Sequence, residues 1–181
     1  MAGLVSAPVN PLSHETELAA LVQALARRLQ APGWMLATAE SCTGGLIAAA
    51  CTELAGSSNW FERGFVTYSN AAKAQMLGVD ATLIAQHGAV SEPVARAMAQ
   101  GAVQHASAQV ALAVTGVAGP GGGSAEKPVG TVWFAWALPG GLHSELQQFA
   151  GDRTAVRQAT VRHSLHRLLE LLSAPPANAH A

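Results

Sequence analysis

The stretch WMLATAESCTGGLIAAACTEL, residues 34 to 54, decides the fold because it joins an apolar strand to an apolar helix through a polar turn. WMLATA (34–39) predicts a short buried strand, and GLIAAACTEL (45–54) predicts a helix. The turn between them contains a carboxylate, hydroxyl groups, a thiol and glycines. We consider two interpretations: a hydroxyl side chain caps the helix, or the turn holds a reactive group at the mouth of a sheet.

The same alternation of strand and helix continues on both sides of this stretch. Predicted helices cover 14–30, 70–78, 80–86, 92–106 and a segment that begins at Asp152, and predicted strands cover 64–69, 109–116, 129–138 and 142–150. Ser13 and Ser91 are candidate caps for the helices that follow them. Pro139-Gly140-Gly141 predicts a hairpin between the last two strands. We therefore expect a three-layer α/β/α fold with a mixed, mostly parallel sheet of about five strands.

A chain of 181 residues is most simply one domain, which we place at residues 13–173. Residues 1–12 and 174–181 mix Pro, Ala and Asn without periodicity, so we expect loose ends there. The N-terminus has no basic segment followed by an apolar one, and no apolar run approaches the roughly 18 residues that span a membrane. We therefore expect a cytoplasmic protein without a membrane partner.

The charge content of the chain is low. Charged residues make up 12% of the sequence, and the formal net charge is −1. Such a chain is not expected to bind nucleic acid, which needs a broad positive surface. The small charged fraction implies that a larger than usual part of the surface is apolar or buried against a partner, so we expect a homo-oligomer.

The sequence contains none of the common metal-binding patterns. The cysteines are Cys42 and Cys51, whose spacing fits neither a zinc site nor a disulfide framework. His163 and His166 share a predicted helix face without a third ligand, and HETEL (14–18) lacks the second His of a zinc protease. We therefore expect no metal. Cys42 has no evident histidine partner either, so we interpret it as a small buried residue rather than a nucleophile.

Ligands of α/β sheets bind beyond the carboxyl ends of the strands, and the loops there are unusual in this chain. They are the turn Glu40 to Gly45, YSNAAK (68–73) and TGVAGPGGGSAEKPVG (115–130). In the first, free N–H groups at the helix start attract an anion, although a Ser or Thr cap is the commoner use of such residues. In the third, the glycines suit a phosphate, but their spacing matches neither the P-loop nor the dinucleotide fingerprint, and a flexible loop is the alternative.

Lysine is scarce. Lys73 and Lys127 are the only two lysines, whereas eight arginines supply the remaining positive charge. Burial lowers the pKa of a lysine, which lets its neutral amine act as a base. The alternative for Lys73 is a solvated helix residue, and Tyr68 is by ordinary expectation a half-buried sheet residue with a hydrogen-bonded hydroxyl.

Several segments, taken in order, resemble the CinA C-terminal domain family of nicotinamide-mononucleotide deamidases. They are TAESCTGG, FERGFVTYSNAAK, GAVSE, TGVAGPGGG, EKPVGTV and GDR. The resemblance covers roughly residues 14 to 172. Ala125 departs from the pattern, since many relatives have Pro there, and we expect this change to affect loop stiffness more than chemistry. Longer members carry another domain, whose chemistry is not transferred to this chain.

The resemblance implies a serine amidohydrolase of the Ser–Lys type that needs no cofactor or metal and acts in pyridine-nucleotide recycling. Ser41 is then the nucleophile, Lys73 its base and Tyr68 a supporting hydroxyl. The partner is a small-molecule nucleotide substrate. The residues expected to bind it are Glu40, Thr43, Gly44, Gly45, Thr115, Gly116, Gly119, Gly121 and Arg153.

This assignment has geometric consequences, because an alcohol is a good nucleophile only when a base removes its proton. We expect Lys73 to be buried and to lie within about 3 Å of Ser41 Oγ, directly or through Tyr68. Backbone N–H groups near Thr43 to Gly45 are the expected oxyanion donors. The glycine-rich loop and Arg153 are the expected phosphate donors.

Other functions remain open at this stage. The chain is alternatively a non-catalytic nucleotide-binding or regulatory module that keeps the pocket, although such a module needs no base beside a serine. A phosphatase or nucleotide hydrolase lacks support, because most such enzymes use a cluster of carboxylates and metal ions. Arg153 alternatively pairs only with Asp152 or with a neighbouring chain.

Overall fold

The computed structural model describes residues 11–173, which form a five-stranded sheet covered by six α-helices. The strands are β1 (Leu36–Glu40), β2 (Phe61–Val66), β3 (Val110–Gly116), β4 (Thr131–Leu138) and β5 (Gly141–Gln148). The helices are α1 (Pro11–Gln30), α2 (Leu46–Thr52), α3 (Asn70–Leu77), α4 (Ala81–His87), α5 (Glu92–Gln104) and α6 (Arg153–Ser173). Across that range, no helix combines the length and the apolar character needed to cross a membrane.

The N-terminal helix begins earlier than predicted. α1 starts at Pro11, so Ser13 lies inside the helix rather than capping it. Residues 11 and 12, which we expected to be loose, are therefore helical. The rest of that expected loose segment, residues 1–10, and the expected tail, 174–181, lie outside the described residues.

The second strand also differs from the prediction, since β2 covers 61–66 instead of 64–69. The chain leaves the sheet because the side chain of Ser69 accepts a hydrogen bond from the Ala72 N–H and starts α3. Tyr68 therefore lies in a loop rather than in the sheet. A short 3-10 helix at Ser57–Asn59, which the sequence did not indicate, precedes this strand.

The sheet order is β2-β1-β3-β4-β5. β1 pairs in parallel with both β2 and β3, whereas β4 is antiparallel to β3 and to β5. The predicted hairpin is confirmed, with Pro139 and Gly140 between its strands. The predicted mixed α/β sheet is confirmed as well, and the carboxyl ends of β1, β2 and β3 meet at one edge.

The two faces of the sheet carry side chains of different size. One face packs against α1, α2 and α6 through large residues, among them Leu36, Leu112, Val114, Phe134 and Trp136. The other face packs against α3, α4 and α5 through small residues, among them Ala37, Ala39, Ala111, Ala113 and Ala135. Because an alanine surface is shallow, helices on this second face approach the sheet closely.

α5 also approaches α3 closely. A Cβ atom at Gly101 of α5 would lie 2.0 Å from the carbonyl oxygen of Leu77, far inside van der Waals contact. The absence of a side chain at Gly101 is what permits this crossing, and Leu77 is the last residue of α3. The crossing therefore helps to set the position of α3 above the sheet.

Gly101→Ala is expected to lower the free energy of unfolding by about 1–3 kcal/mol, the usual range for overpacking. The same change in an open helix raises stability by up to about 1 kcal/mol, so the sign of the effect tests the contact. Urea denaturation followed by circular dichroism measures it. Gln100→Ala, at an exposed position of the same helix, is the control. Unchanged or increased stability of Gly101→Ala would contradict the close crossing of α3 and α5.

Candidate active site

The end of β1 directs consecutive side chains to opposite faces of the sheet. Glu40, the last residue of β1, reaches the start of α2, and Ser41 follows it on the face covered by α3. The Ser41 N–H donates to the Val114 carbonyl at 3.1 Å, which continues the parallel pairing of β1 with β3 by one residue. The alternation of the strand thus separates a structural carboxylate from the candidate nucleophile.

The carboxylate of Glu40 is fully buried and fixes the β1–α2 turn. It accepts hydrogen bonds from the backbone N–H groups of Gly45 and Ile47 at 3.0 Å and of Ala48 at 2.8 Å. It also accepts one from the Thr43 hydroxyl at 2.7 Å. The interpretation of Ser41 or Thr43 as the helix cap is therefore wrong, since Glu40 performs this task.

Glu40 consequently differs from the expectation that it binds substrate. Its carboxylate has no exposed surface and serves donors of its own turn. Thr43 is fully buried too, and its hydroxyl is committed to Glu40. Both side chains are buried under the turn and stabilise its conformation, and neither faces a ligand.

The glycines of the turn permit its backbone path. Gly44 and Gly45 have φ values of 62° and 100°, in the left-handed region that residues with a Cβ rarely adopt. The Gly44 N–H donates to the Ser41 carbonyl at 3.1 Å, and the Gly45 N–H is taken by Glu40. These two groups are therefore not the oxyanion donors that we expected. Within residues 11–173, the Cys42 and Thr43 N–H groups of this turn donate to no oxygen and lie within reach of the Cys42 sulfur.

Lys73 lies on α3, directly above Ser41. Its side chain is 1% exposed, and Nζ lies 2.9 Å from Ser41 Oγ. Nζ also donates to the Thr67 carbonyl at 2.7 Å. The expected burial and distance are confirmed, with direct contact rather than a bridge through Tyr68. The alternative of a solvated helix residue is wrong.

Burial lowers the pKa of Lys73, because a charged amine loses hydration there, while the nearby Cys42 opposes part of this effect. Burial also raises the pKa of the Cys42 thiol to about 11. The pKa of Cys51, which is fully buried, is raised for the same reason. Both cysteines are free thiols. The site therefore favours a neutral amine beside a hydroxyl and does not favour a thiolate.

Tyr68 and Arg153 are exposed residues that contact each other. Tyr68 is 61% exposed, and its hydroxyl accepts a hydrogen bond from Arg153 Nη2 at 2.9 Å. Arg153 Nη1 donates to the Gly119 carbonyl at 2.8 Å. Asp152 instead accepts the Ala155 N–H at the start of α6. Arg153 therefore joins Tyr68 to the glycine-rich loop rather than pairing with Asp152.

The residues of that loop divide into packed and open positions. Thr115 is buried, and its hydroxyl donates to the Ala89 carbonyl at 2.8 Å. A Cβ atom at Gly116 would lie 2.7 Å from Val132, and one at Gly119 would lie 2.6 Å from Val129. The neighbouring side chains leave no room for a Cβ atom at either position, which explains why both residues are glycines. Gly121 is exposed with open space around it.

Two further residues touch the site and were missed by the sequence analysis. Thr67 supplies the carbonyl that holds Lys73. Arg157, one turn beyond Arg153 on α6, donates from Nη2 to the Thr43 carbonyl at 2.9 Å. The available signals were weak: a threonine after a strand and a second arginine at helical spacing are both common.

Surface depressions elsewhere do not compete with this site. Two depressions lie between α1 and α6, with volumes of about 310 and 420 Å³, and a third of about 430 Å³ lies beside the β4–β5 hairpin. None of the predicted site residues lines any of them. Among the described residues, no group of three or more His, Cys, Asp or Glu side chains is arranged to hold a metal ion. The Ser41–Lys73 contact therefore marks the site more strongly than the shape of the surface does.

Comparisons with known proteins found relatives that match most of the chain. The nicotinamide-nucleotide amidohydrolase PncC of Escherichia coli K12 is 54% identical over 155 residues, which are 85% of this chain and 94% of that protein. The protein of the same name from Pseudomonas putida is 58% identical over 134 residues, which are 74% of this chain and 84% of its own length.

The fold is also found among solved structures. The crystal structure of the competence/damage inducible protein CihA from Agrobacterium tumefaciens has a TM-score of 0.84 and 47% sequence identity, over 87% of this chain and 96% of that one. The model of the CinA C-terminal domain matches residues 18–172. The chain therefore belongs to the CinA C-terminal domain family.

Proposed function

We propose that the chain hydrolyses the carboxamide of nicotinamide mononucleotide, releasing nicotinic acid mononucleotide and ammonia, with Ser41 as nucleophile and Lys73 as base. The observation that carries the proposal is the 2.9 Å contact between a buried lysine amine and a serine hydroxyl. Close relatives named as nicotinamide-nucleotide amidohydrolases support the substrate class. The buried amine supports base catalysis, because burial lowers its pKa.

The first half of the reaction forms an ester with the enzyme. Ser41 Oγ attacks the carboxamide carbon while its proton passes to the lone pair of Lys73 Nζ. The carbonyl oxygen gains negative charge, and the Cys42 and Thr43 N–H groups are the donors that stabilise it. The C–N bond then breaks, and Lys73 returns the proton to the departing ammonia.

The second half removes the acyl group. Lys73, again neutral, takes a proton from a water molecule that attacks the ester carbon. The bond to Ser41 Oγ breaks, and the serine recovers its proton from Lys73. The acid product leaves, and the amine returns to its starting state.

The proposed substrate-binding region lies around Arg153. Arg153 is exposed and lies between Tyr68 and Gly119, so its guanidinium is the proposed partner of the substrate phosphate. The exposed Gly121 belongs to the same loop, and its free surface suits close approach of a ligand. Tyr68 is a supporting hydroxyl at the entrance rather than a link in the Ser41–Lys73 contact.

A non-catalytic nucleotide-binding module is the alternative. It accounts for the Arg153 region, but it does not account for the burial of a lysine amine. Holding an amine away from water is unfavourable unless the neutral form is used. The Ser41–Lys73 pair therefore favours the enzyme.

Ser41→Ala is expected to abolish ammonia release from nicotinamide mononucleotide, and Lys73→Met to reduce it by about 100- to 10,000-fold, the range for loss of a general base. A coupled ammonia assay with purified protein measures both. Arg28→Ala, at an exposed position of α1, is the control. Lys73→Met should unfold at no lower urea concentration than wild type, since it removes a buried polar amine. Full activity in either site variant would contradict the mechanism.

The activity is expected to rise with pH through the pKa of Lys73, because the neutral amine is the active form. Burial lowers that pKa from its ordinary value of 10.5, so the rise occurs at lower pH than for a solvated lysine. Since the sequence has two lysines, protein labelled at lysine ¹³Cε gives two resonances, and Lys127→Arg leaves that of Lys73. Titration of this resonance at the pH of a free lysine would contradict the proposal.

The biological setting follows from the substrate class. We propose that the reaction serves pyridine-nucleotide recycling in the cytoplasm. We also propose a homo-oligomer, which the 12% charged fraction and the exposed side chains of Leu46, Val66, Met76 and Leu146 support.

Light scattering at micromolar concentration is expected to give a mass of at least twice the 18.5 kDa of one chain. Exposed apolar side chains on a surface with few charges favour self-association. The mass of a single chain across the concentration range would overturn this expectation. Val66→Lys, which adds a charge to a 44% exposed edge-strand position, tests whether this strand takes part.

A further inference from the structure

The hydroxyl of Thr67 is buried without use in the resting site. Thr67 has no exposed surface, and among residues 11–173 its Oγ1 has no hydrogen-bond partner. A buried hydroxyl without a partner is unfavourable, and native structures contain few of them. Such a group in contact with a reactive site calls for a function.

Thr67 lies beside the nucleophile. Glu40 pairs with Val66, and the Thr67 N–H donates to the Glu40 carbonyl at 2.8 Å, so the next residues, Ser41 and Thr67, are neighbours across the two strands. Phe65, two residues earlier, packs on the face that carries α3 and α5. Alternation directs Thr67 to that same face, where its carbonyl already holds Lys73.

The hydrogen-bonding capacity of Lys73 changes during the proposed reaction. Nζ lies 2.9 Å from Ser41 Oγ and donates an N–H to the Thr67 carbonyl. In the proposed mechanism the neutral amine has two N–H groups and a lone pair, and the lone pair takes the proton of Ser41. When Ser41 loses its proton, the O–H bond breaks and a third N–H forms on Nζ. The new N–H points back at Ser41 Oγ. The remaining N–H, which has no named acceptor, now belongs to a charged ammonium that is 1% exposed and so gains more from an acceptor.

We propose that Thr67 is the positioning residue of Lys73: its carbonyl orients the amine, and its hydroxyl, after rotation about χ1, accepts an N–H from the ammonium formed when Ser41 is deprotonated. This inference rests on the proposed function for its catalytic meaning. The hydroxyl is unpaired in the resting state, where the second N–H of the neutral amine is a weaker donor than an N–H of the ammonium. Thr67 thus favours proton transfer to Lys73 without touching the substrate.

The ionisable groups around Lys73 do not perform this task. Cys42, on the β1–α2 turn, is the titratable neighbour, and its high pKa keeps the thiol protonated and uncharged. Glu40 lies on the other face of β1. The groups of the other elements packed against α3 have partners elsewhere or lie at its far end: His105 is beside Gly78, Arg63 pairs with Glu62, and Arg96 bonds to Ser144.

The test compares Thr67→Val, which keeps the shape and the carbonyl but removes the hydroxyl, with Thr67→Ser, which keeps both polar groups. The pKa of Lys73, measured from its ¹³Cε resonance in a Lys127→Arg background, is expected to fall by about one unit in Thr67→Val, because the ammonium loses an acceptor. The plateau kcat for ammonia release at high pH is expected to fall about tenfold. Thr67→Ser should retain both values, and Thr67→Val should unfold at no lower urea concentration than wild type.

An unchanged Lys73 titration together with an unchanged plateau kcat in Thr67→Val would overturn the inference and leave Thr67 as a packing residue. If Thr67→Val does not fold, Thr67→Ala is measured in the same way, and the same unchanged values overturn it. The two proposals fail differently. A wild-type chain that releases no ammonia, but whose Lys73 titration still falls in Thr67→Val, would remove the amidase and retain the pairing of Thr67 with Lys73.

Discussion

The buried carboxylate of Glu40 is the interaction on which the arrangement of the site depends. It satisfies the N–H groups at the start of α2, a task that a Ser or Thr side chain usually performs. The positive end of the helix in turn compensates a negative charge that has lost its water. Because Glu40 caps the helix, the hydroxyl of Ser41 is not needed as a cap and contacts Lys73 on the opposite face of the strand.

The unequal faces of the sheet complete the arrangement. Large side chains fill the space beneath α1, α2 and α6, whereas alanines bring the second layer of helices close to the strands. Gly101 brings α5 close to α3 in the same way. As a result α3 lies low enough for Lys73 to reach Ser41 directly, with its long apolar stem buried and its amine between a carbonyl and a hydroxyl.

Periodicity in the sequence was sufficient for the fold, and the resemblance to the CinA C-terminal domain family implied the Ser41–Lys73 contact. The sequence was insufficient where the outcome depends on competition for hydrogen bonds. Glu40 is a polar residue in a candidate ligand-binding loop. Only the positions of the α2 N–H groups show that its carboxylate already accepts hydrogen bonds from them. Thr67 looked ordinary for the same reason, since an unpaired hydroxyl is a property of its neighbours. Ser13 was assigned as a cap because nothing in the local pattern indicates that α1 begins at Pro11.

The state of the two thiols has a practical consequence. Cys42 and Cys51 are both buried with raised pKa values, so the folded chain presents hardly any thiolate to an electrophile. We therefore expect alkylating reagents and mild oxidants to be poor inhibitors, even though one cysteine is the immediate neighbour of Ser41. Chemical labelling of either cysteine therefore measures unfolding, and its extent gives the folded fraction of each variant.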